Sequence, residues 1–327
     1  MLALFAEFTV IAIVIVIAGT YLAKFAGQLG ERTGLGRLMA GIVLLAVATS
    51  LPELIVSCYA VLIPAPDLAV GDLLGSCLFN LLILAVLDLT TRTGGSMLSR
   101  SAAAHSLSAM ASVLLTAVAL LFLLVDLPWM IWRLGPGSMS ILISYGLCLR
   151  LIYFDQQFGR KAKTRESPKM TFPLRNVILG YATATLVIFL AAPQLVVTAD
   201  QLALESGLGG TFVGTTFVAL ATSLPEVSTT RAALRMGAPD MAIGNIMGSN
   251  SFNIVVLFAV DLFYEKPLLA SVLNTHAVTA TAVIIVTSLV AMGMLYRAEK
   301  RFWLIEPDAV IVILFIVGAL VLVYRAG

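Results

Sequence analysis

Apolar residues run along this chain in ten long blocks parted by short polar stretches. The blocks fall at about 3–26, 38–62, 68–89, 104–125, 138–154, 177–203, 211–235, 241–263, 271–295 and 307–325. Each is long enough to cross a hydrocarbon core of about 30 Å as a helix. The alternation of a membrane β-barrel is absent, so helices must satisfy the backbone internally. The pattern therefore predicts an all-α membrane protein with ten transmembrane helices. The longest polar interruption, 155–175, leaves five helices on either side of it.

Composition agrees. Of 327 residues, 60% are apolar and 12% charged, against about 25% charged in a soluble domain. Residues 8–23 lack the basic flank of a signal peptide, and Glu7 stands where it would be, so this block reads as a retained membrane helix. A net charge of +2 gives no reason to expect a nucleic-acid partner. Cys58, Cys77 and Cys148 lie in apolar segments, which points to packing rather than disulfides.

Basic residues set the expected orientation. With 155–175 in the cytoplasm, seventeen of the 20 lysines and arginines fall inside, and only Arg133, Lys266 and Arg325 fall outside. Both termini are then external. Trp129, Trp132 and Trp303 fit as interface anchors.

A shift of 173 residues superposes Ala46-Val-Ala-Thr-Ser-Leu-Pro-Glu53 on Ala219-Leu-Ala-Thr-Ser-Leu-Pro-Glu226. The same shift brings Ala65-Pro66-Asp67 onto Ala238-Pro239-Asp240, Gly75-Ser76 onto Gly248-Ser249, and Phe79-Asn80 onto Phe252-Asn253. A shift of 171 brings His105 onto His276. The chain thus divides into five-helix halves, 1–154 and 176–327, joined by the basic linker 155–175. Five is odd, so equivalent helices cross in opposite directions: two inverted repeats, with a site expected near the midplane where they meet.

Glu53 and Glu226 read as mid-helix carboxylates in apolar surroundings, where a charge is costly and by default functional. Thr49 and Ser50 precede Glu53 by four and three residues and share its helical face, as Thr222 and Ser223 do for Glu226. Ser76 and Asn80 are four apart, as are Ser249 and Asn253. Carboxylate, hydroxyl and amide oxygens are the hard donors that Ca²⁺ takes in sets of six to eight. No Cys/His set suggests zinc or copper. Pro52 and Pro225 lack an N–H and should free the carbonyls of Ala48 and Ala221. Gly71/Gly75 and Gly244/Gly248 suit close helix approach. His105 and His276, with no acid beside them in sequence, read as interfacial packing. Asp88 and Asp261 sit near helix ends, where charge costs little.

These motifs resemble the cation/calcium exchanger superfamily, whose α-repeats the segments 38–89 and 211–262 match in Thr-Ser-Leu-Pro-Glu and Gly-Ser-x-x-Phe-Asn. The short central loop is similar to that of prokaryotic Na⁺/Ca²⁺ exchangers. The resemblance implies one central cluster with Ca²⁺ and Na⁺ sites. Its ligands would be Thr49, Ser50, Glu53, Ser76 and Asn80 with Thr222, Ser223, Glu226, Ser249 and Asn253. It adds the carbonyls of Ala46 and Ala219. The chain departs from the family pattern at Asp72, where asparagine is usual, at Cys77 in place of the asparagine of Gly-Ser-Asn, and at Asn253, where some members have aspartate.

The expectation is a Ca²⁺/Na⁺ antiporter of a prokaryotic plasma (inner) membrane, working by alternating access. Ca²⁺, Na⁺ and the lipid bilayer would be its partners, with no cofactor and no obligate protein partner. The alternative of the same fold couples Ca²⁺ to H⁺. An enzyme is disfavoured, since neither histidine lies in the doubled motif and no His-Glu-x-x-His occurs.

Overall fold

A computed structural model describes residues 2–62, 65–90, 105–125, 127–160, 172–205, 222–295 and 307–326. The described residues are helical, apart from turns and one isolated antiparallel bridge between Ile131 and Leu134. In chain order the helices are α1 Leu2–Arg32, α2 Gly36–Thr49, α3 Leu51–Leu62, α4 Pro66–Thr90, α5 Ser106–Leu124 and α6 Pro136–Arg160. The second half has α7 Leu174–Glu205, α8 Leu224–Arg235, α9 Pro239–Phe263, α10 His276–Leu295 and α11 Pro307–Ala326. Seven are long and apolar enough to cross a membrane alone, and α2 with α3 forms an eighth, bent crossing. α11 is a shorter apolar helix, and the expected 211–235 helix is described only as α8, because 206–221 lies outside the described residues.

The internal repeat is written into the boundaries. α3 and α8 differ by a shift of 173, as do α4 and α9, end for end. Proline opens α4 and α9, and again α6 and α11. At a helix start its missing N–H costs nothing and its fixed φ is already helical. Six of the predicted helices are lengthened by a few residues, while 104–125 and 271–295 are shortened to α5 and α10. The block 38–62 is not one helix: a π-helical turn, Ala40–Leu45, lies within α2, and the chain bends by 43° between α2 and α3.

α9 forms the centre. In its most apolar window 72% of residues are buried, against 17% for α1, whose apolar flank is exposed where lipid would lie. α9 touches α2 to α6 and α8, while α1 packs along α7 and α8, and α5 pairs with α10. Glycine permits the tightest contact. A Cβ on Gly248 would stand 2.6 Å from Ile42 Cα, and one on Gly244 would stand 2.6 Å from the Leu38 carbonyl oxygen. Of the two small-residue faces expected, Gly244/Gly248 therefore carries backbone-to-backbone packing. A Cβ on Gly71 would instead lie 3.4 Å from the His276 ring, an ordinary contact, and one on Gly75 would meet nothing within 4 Å.

Two discounted residue pairs turn out to tie the repeats together. His105 Nε2 lies 2.9 Å from Asp240 Oδ1, and His276 Nε2 lies 3.0 Å from Asp67 Oδ1. Each histidine does have an acid beside it, but one supplied by the opposite repeat. Sequence proximity could not reveal that. Asp88 and Asp261 are buried rather than placed where charge is cheap. Asp261 accepts from Gly135 N through Oδ2 and from Leu268 N through Oδ1, both at 2.7 Å. It thereby pins the loop before α6 to the turn Leu268–Ser271. Cys58, Cys77 and Cys148 are free thiols. Trp129 and Trp132 are exposed, as anchors should be, and Trp303 lies outside the described residues.

Asp261→Ala leaves two buried N–H groups unsatisfied and should lower stability by about 2–4 kcal/mol. Asp261→Asn should recover only part of this, since its NH₂ cannot accept the second bond. Thermal unfolding of the detergent-purified variants checks both, and equal stability of wild type and Asp261→Ala would contradict the assigned role.

Candidate cation site between the repeats

The site is built on a helix break in the first repeat and a helix start in the second. Pro52 cannot donate to Ala48, so the helix of residues 36–49 ends and a new one begins at Leu51. Ser50 takes φ −90° and ψ 9° at the joint, and Ser223 takes φ −81° and ψ 3° before α8. Glu53 and Glu226 consequently occupy first turns, not mid-helix positions. There the free N–H groups and the positive end of the helix dipole favour an anion. The signal was present in sequence: Ser-x-x-Glu with a proline inside it is an N-terminal signature.

The serines nevertheless do not cap. Ser223 makes no capping bond, and Ser50 Oγ points across the repeat boundary to Glu226 Oε1 at 3.4 Å. Thr49 Oγ1 stands 3.4 Å from the Ala46 carbonyl oxygen and 3.4 Å from Ser249 Oγ. These contacts are long for hydroxyl donors, whose preferred distance is about 2.7–2.8 Å. The oxygens are gathered without being locked to one another. Ala46 O also accepts from Ser50 N at 3.0 Å, so the break keeps this carbonyl paired.

Glu53 and Glu226 are each 1% exposed. Among the described residues, Glu53 Oε2, Glu226 Oε2, Ser76 Oγ, Ser223 Oγ, Asn80 Oδ1 and both side-chain polar atoms of Asn253 have no hydrogen-bond partner. Buried polar atoms are seldom left so. Seven other such atoms are on Gln28, His105, Ser112, Gln156, Thr185, Asn245 and Asn250, while these seven belong to α3, α4, α9 and the start of α8. Thr222 and Ser249 are buried with them, and Ala219 lies outside the described residues. The ensemble is rich in hard oxygen and carries two carboxylates, which suits a divalent cation or a pair of monovalent ones.

The three departures from pattern have places of their own. Cys77 and Asn250, equivalent under the 173-residue shift, touch each other: Asn250 Nδ2 donates to Cys77 O at 3.2 Å, and Cys77 Sγ to Asn250 O at 3.7 Å. The local two-fold axis therefore passes between them. Asp72 accepts from Ser57 Oγ at 3.3 Å. In the other repeat, Asn245 Nδ2 donates to Thr229 Oγ1 and Thr230 Oγ1, each at 2.9 Å. Asn253 lies buried within the cluster.

A family model described as sodium/calcium exchanger protein matches residues 3–154 and 176–325. The chain belongs to this family. Among its relatives is the inner membrane protein YrbG of Escherichia coli (strain K12), 30% identical over 267 residues that make up 77% of each chain. The sodium/calcium exchanger MaX1 of Methanosarcina acetivorans is 32% identical over 154 residues, 44% of this chain and 42% of that one. The fold matches the sodium-calcium exchanger NCX_Mj soaked with 10 mM Na⁺ and zero Ca²⁺, with a TM-score of 0.73 at 20% identity, covering 98% of this chain and 99% of that one. The architecture is accordingly that of an exchanger: ten transmembrane helices in two inverted five-helix repeats.

Thr49→Val keeps the side chain's shape and removes one oxygen from the cluster. It should weaken Ca²⁺ binding to the purified protein about tenfold, or roughly 1.4 kcal/mol. Thr90→Val, whose hydroxyl bonds only its own helix, serves as the control. Equal ⁴⁵Ca²⁺ binding by both variants would contradict the assignment of Thr49.

Proposed function

We propose that this protein is a secondary active antiporter that exchanges Ca²⁺ for Na⁺ by alternating access at a site shared between Glu53 and Glu226. The observation that carries the reading is the contact of Ser50 Oγ with Glu226 Oε1 across the repeat boundary, within a cluster of unpartnered oxygens. Two carboxylates balance one Ca²⁺ or two Na⁺, so either load can occupy the cluster but the two cannot be carried in full together. Competition for one charge-balanced site is the physical basis of exchange. Thr49, Ser50, Thr222, Ser223, Ser76, Asn80, Ser249 and Asn253 supply the remaining side-chain oxygens, with the carbonyls of Ala46 and Ala219. Membership of the sodium/calcium exchanger family supports transport rather than catalysis.

The halves 1–154 and 176–327 act as one functional repeat each, with helices outside the two motif regions sliding or rocking against them to change access. The basic linker 155–175 lies in the cytoplasm of a prokaryotic cell, and both termini are external. The bias of lysine and arginine supports this orientation in the plasma membrane.

H⁺ is the competing coupling ion. The third acid at the cluster, Asp72, favours it, whereas Thr-Ser-Leu-Pro-Glu resembles the sodium-coupled branch. In proteoliposomes an outward Na⁺ gradient should drive ⁴⁵Ca²⁺ uptake at constant pH, and a pH gradient without Na⁺ should not. Glu53→Gln or Glu226→Gln should each abolish that uptake, because an amide cannot hold the charge balance. Uptake at wild-type rates in either variant would remove the site, and uptake driven by the pH gradient alone would transfer the assignment to H⁺.

A further inference from the structure

The two repeats build matching polar tracks that differ in one charge. On α4, Asp72, Ser76 and Asn80 are spaced four apart and share a face, while on α3 Glu53 and Ser57 do the same. Ser57 Oγ closes this ladder on Asp72 Oδ2 at 3.3 Å. On α9 the equivalents are Asn245, Ser249 and Asn253, and on α8 they are Glu226 and Thr230, with Asn245 Nδ2 closing the ladder on Thr230 Oγ1 at 2.9 Å. Each four-residue step rises about 6 Å. Asp72 and Asn245 therefore stand one step from the central oxygens, at the end of the track nearer the start of their helices. Because the repeats are inverted, those ends lead to opposite membrane faces.

The two outer steps differ chemically. Asn245 is fully buried, and its amide is held by two threonine hydroxyls. Asp72 has one long hydroxyl contact, from Ser57 on the helix that carries Glu53. Unpartnered and buried, Glu53 Oε2 and Ser76 Oγ lie on the same track. A cation entering along α3 and α4 meets a carboxylate before the glutamate pair, while one entering along α8 and α9 meets a neutral amide whose NH₂ is held by two hydroxyls and whose Oδ1 has no partner among the described residues. Coulomb attraction to a single carboxylate is twice as large for a divalent ion as for a monovalent one at the same distance.

We propose that Asp72 is a specificity-determining residue that makes the exchanger sided, raising affinity for a divalent cation at the external face alone. This rests on the exchange reading and on the orientation given above. The chain's own second repeat supplies the natural substitution, since Asp72→Asn makes the two tracks alike.

The test measures half-saturating Ca²⁺ for Na⁺-driven exchange in right-side-out and inside-out membrane vesicles. Asp72→Asn should raise the external value roughly tenfold and leave the cytoplasmic value unchanged, with a smaller effect on half-saturating Na⁺. Asp72→Glu, which retains the charge, should restore most of the external affinity, a rescue that a packing role would not give. Asn245→Asp should lower the cytoplasmic value, and it keeps the proposal testable if Asp72→Asn does not reach the membrane. Equal shifts at both faces, a shift confined to the cytoplasmic face, or no shift would overturn the proposal while leaving exchange intact. Absence of Na⁺-driven flux in the wild type would overturn the exchange reading itself.

Discussion

Two carboxylates held together away from water govern the rest of this structure. A charge at membrane depth costs a few kcal/mol or more, and two like charges add repulsion to desolvation. The chain meets the cost locally, at helix starts. Proline after Thr-Ser ends α2 and starts α3 in the first repeat and opens α8 in the second, so Glu53 and Glu226 stand in first turns where the peptide dipoles face them. On the proposed reading, mobile cations supply the charge that the pair still lacks, and two cargoes then compete for it.

The surroundings keep the two helix starts in register. Backbone contact through Gly244 and Gly248 seats α9 against α2 with no side chain between them, and Cys77 meets Asn250 at the local axis. Each repeat then reaches into the other through a histidine and an aspartate, His105 to Asp240 and His276 to Asp67. These contacts link helices that are remote in sequence and adjacent in space. α1 stands apart from this arrangement: lipid-facing along one flank, it packs on α7 and α8.

Much of this was legible before any coordinates. The ten apolar blocks, the 173-residue shift and the paired Thr-Ser-Leu-Pro-Glu carry the helix count, the inversion and the residues of the cluster. The break at Ser50 is hidden from the pattern, which places Glu53 in mid-helix, because hydrophobicity runs unbroken through 38–62 and masks the start signal in Ser-Leu-Pro-Glu. His105 and Asp240 lie 135 positions apart, so their pairing follows from packing and cannot be read from local pattern. Asp261 was passed over for the same reason: its partners, Gly135 N and Leu268 N, are backbone groups, which have no sequence signature. Departures from the repeat were visible, but their meaning was not. Only the ladder from Ser57 to Asp72 shows that one of them adds charge beside the cluster.

Stoichiometric competition at a single site is the central claim, and equilibrium ⁴⁵Ca²⁺ binding to the purified protein at rising Na⁺ tests it most directly. One Ca²⁺ per chain is expected at saturation, displaced by Na⁺ with a dependence steeper than first order, because two or more Na⁺ must replace one divalent ion. Ca²⁺ that stays bound at saturating Na⁺, or binding that survives in Glu53→Gln and Glu226→Gln alike, would contradict it.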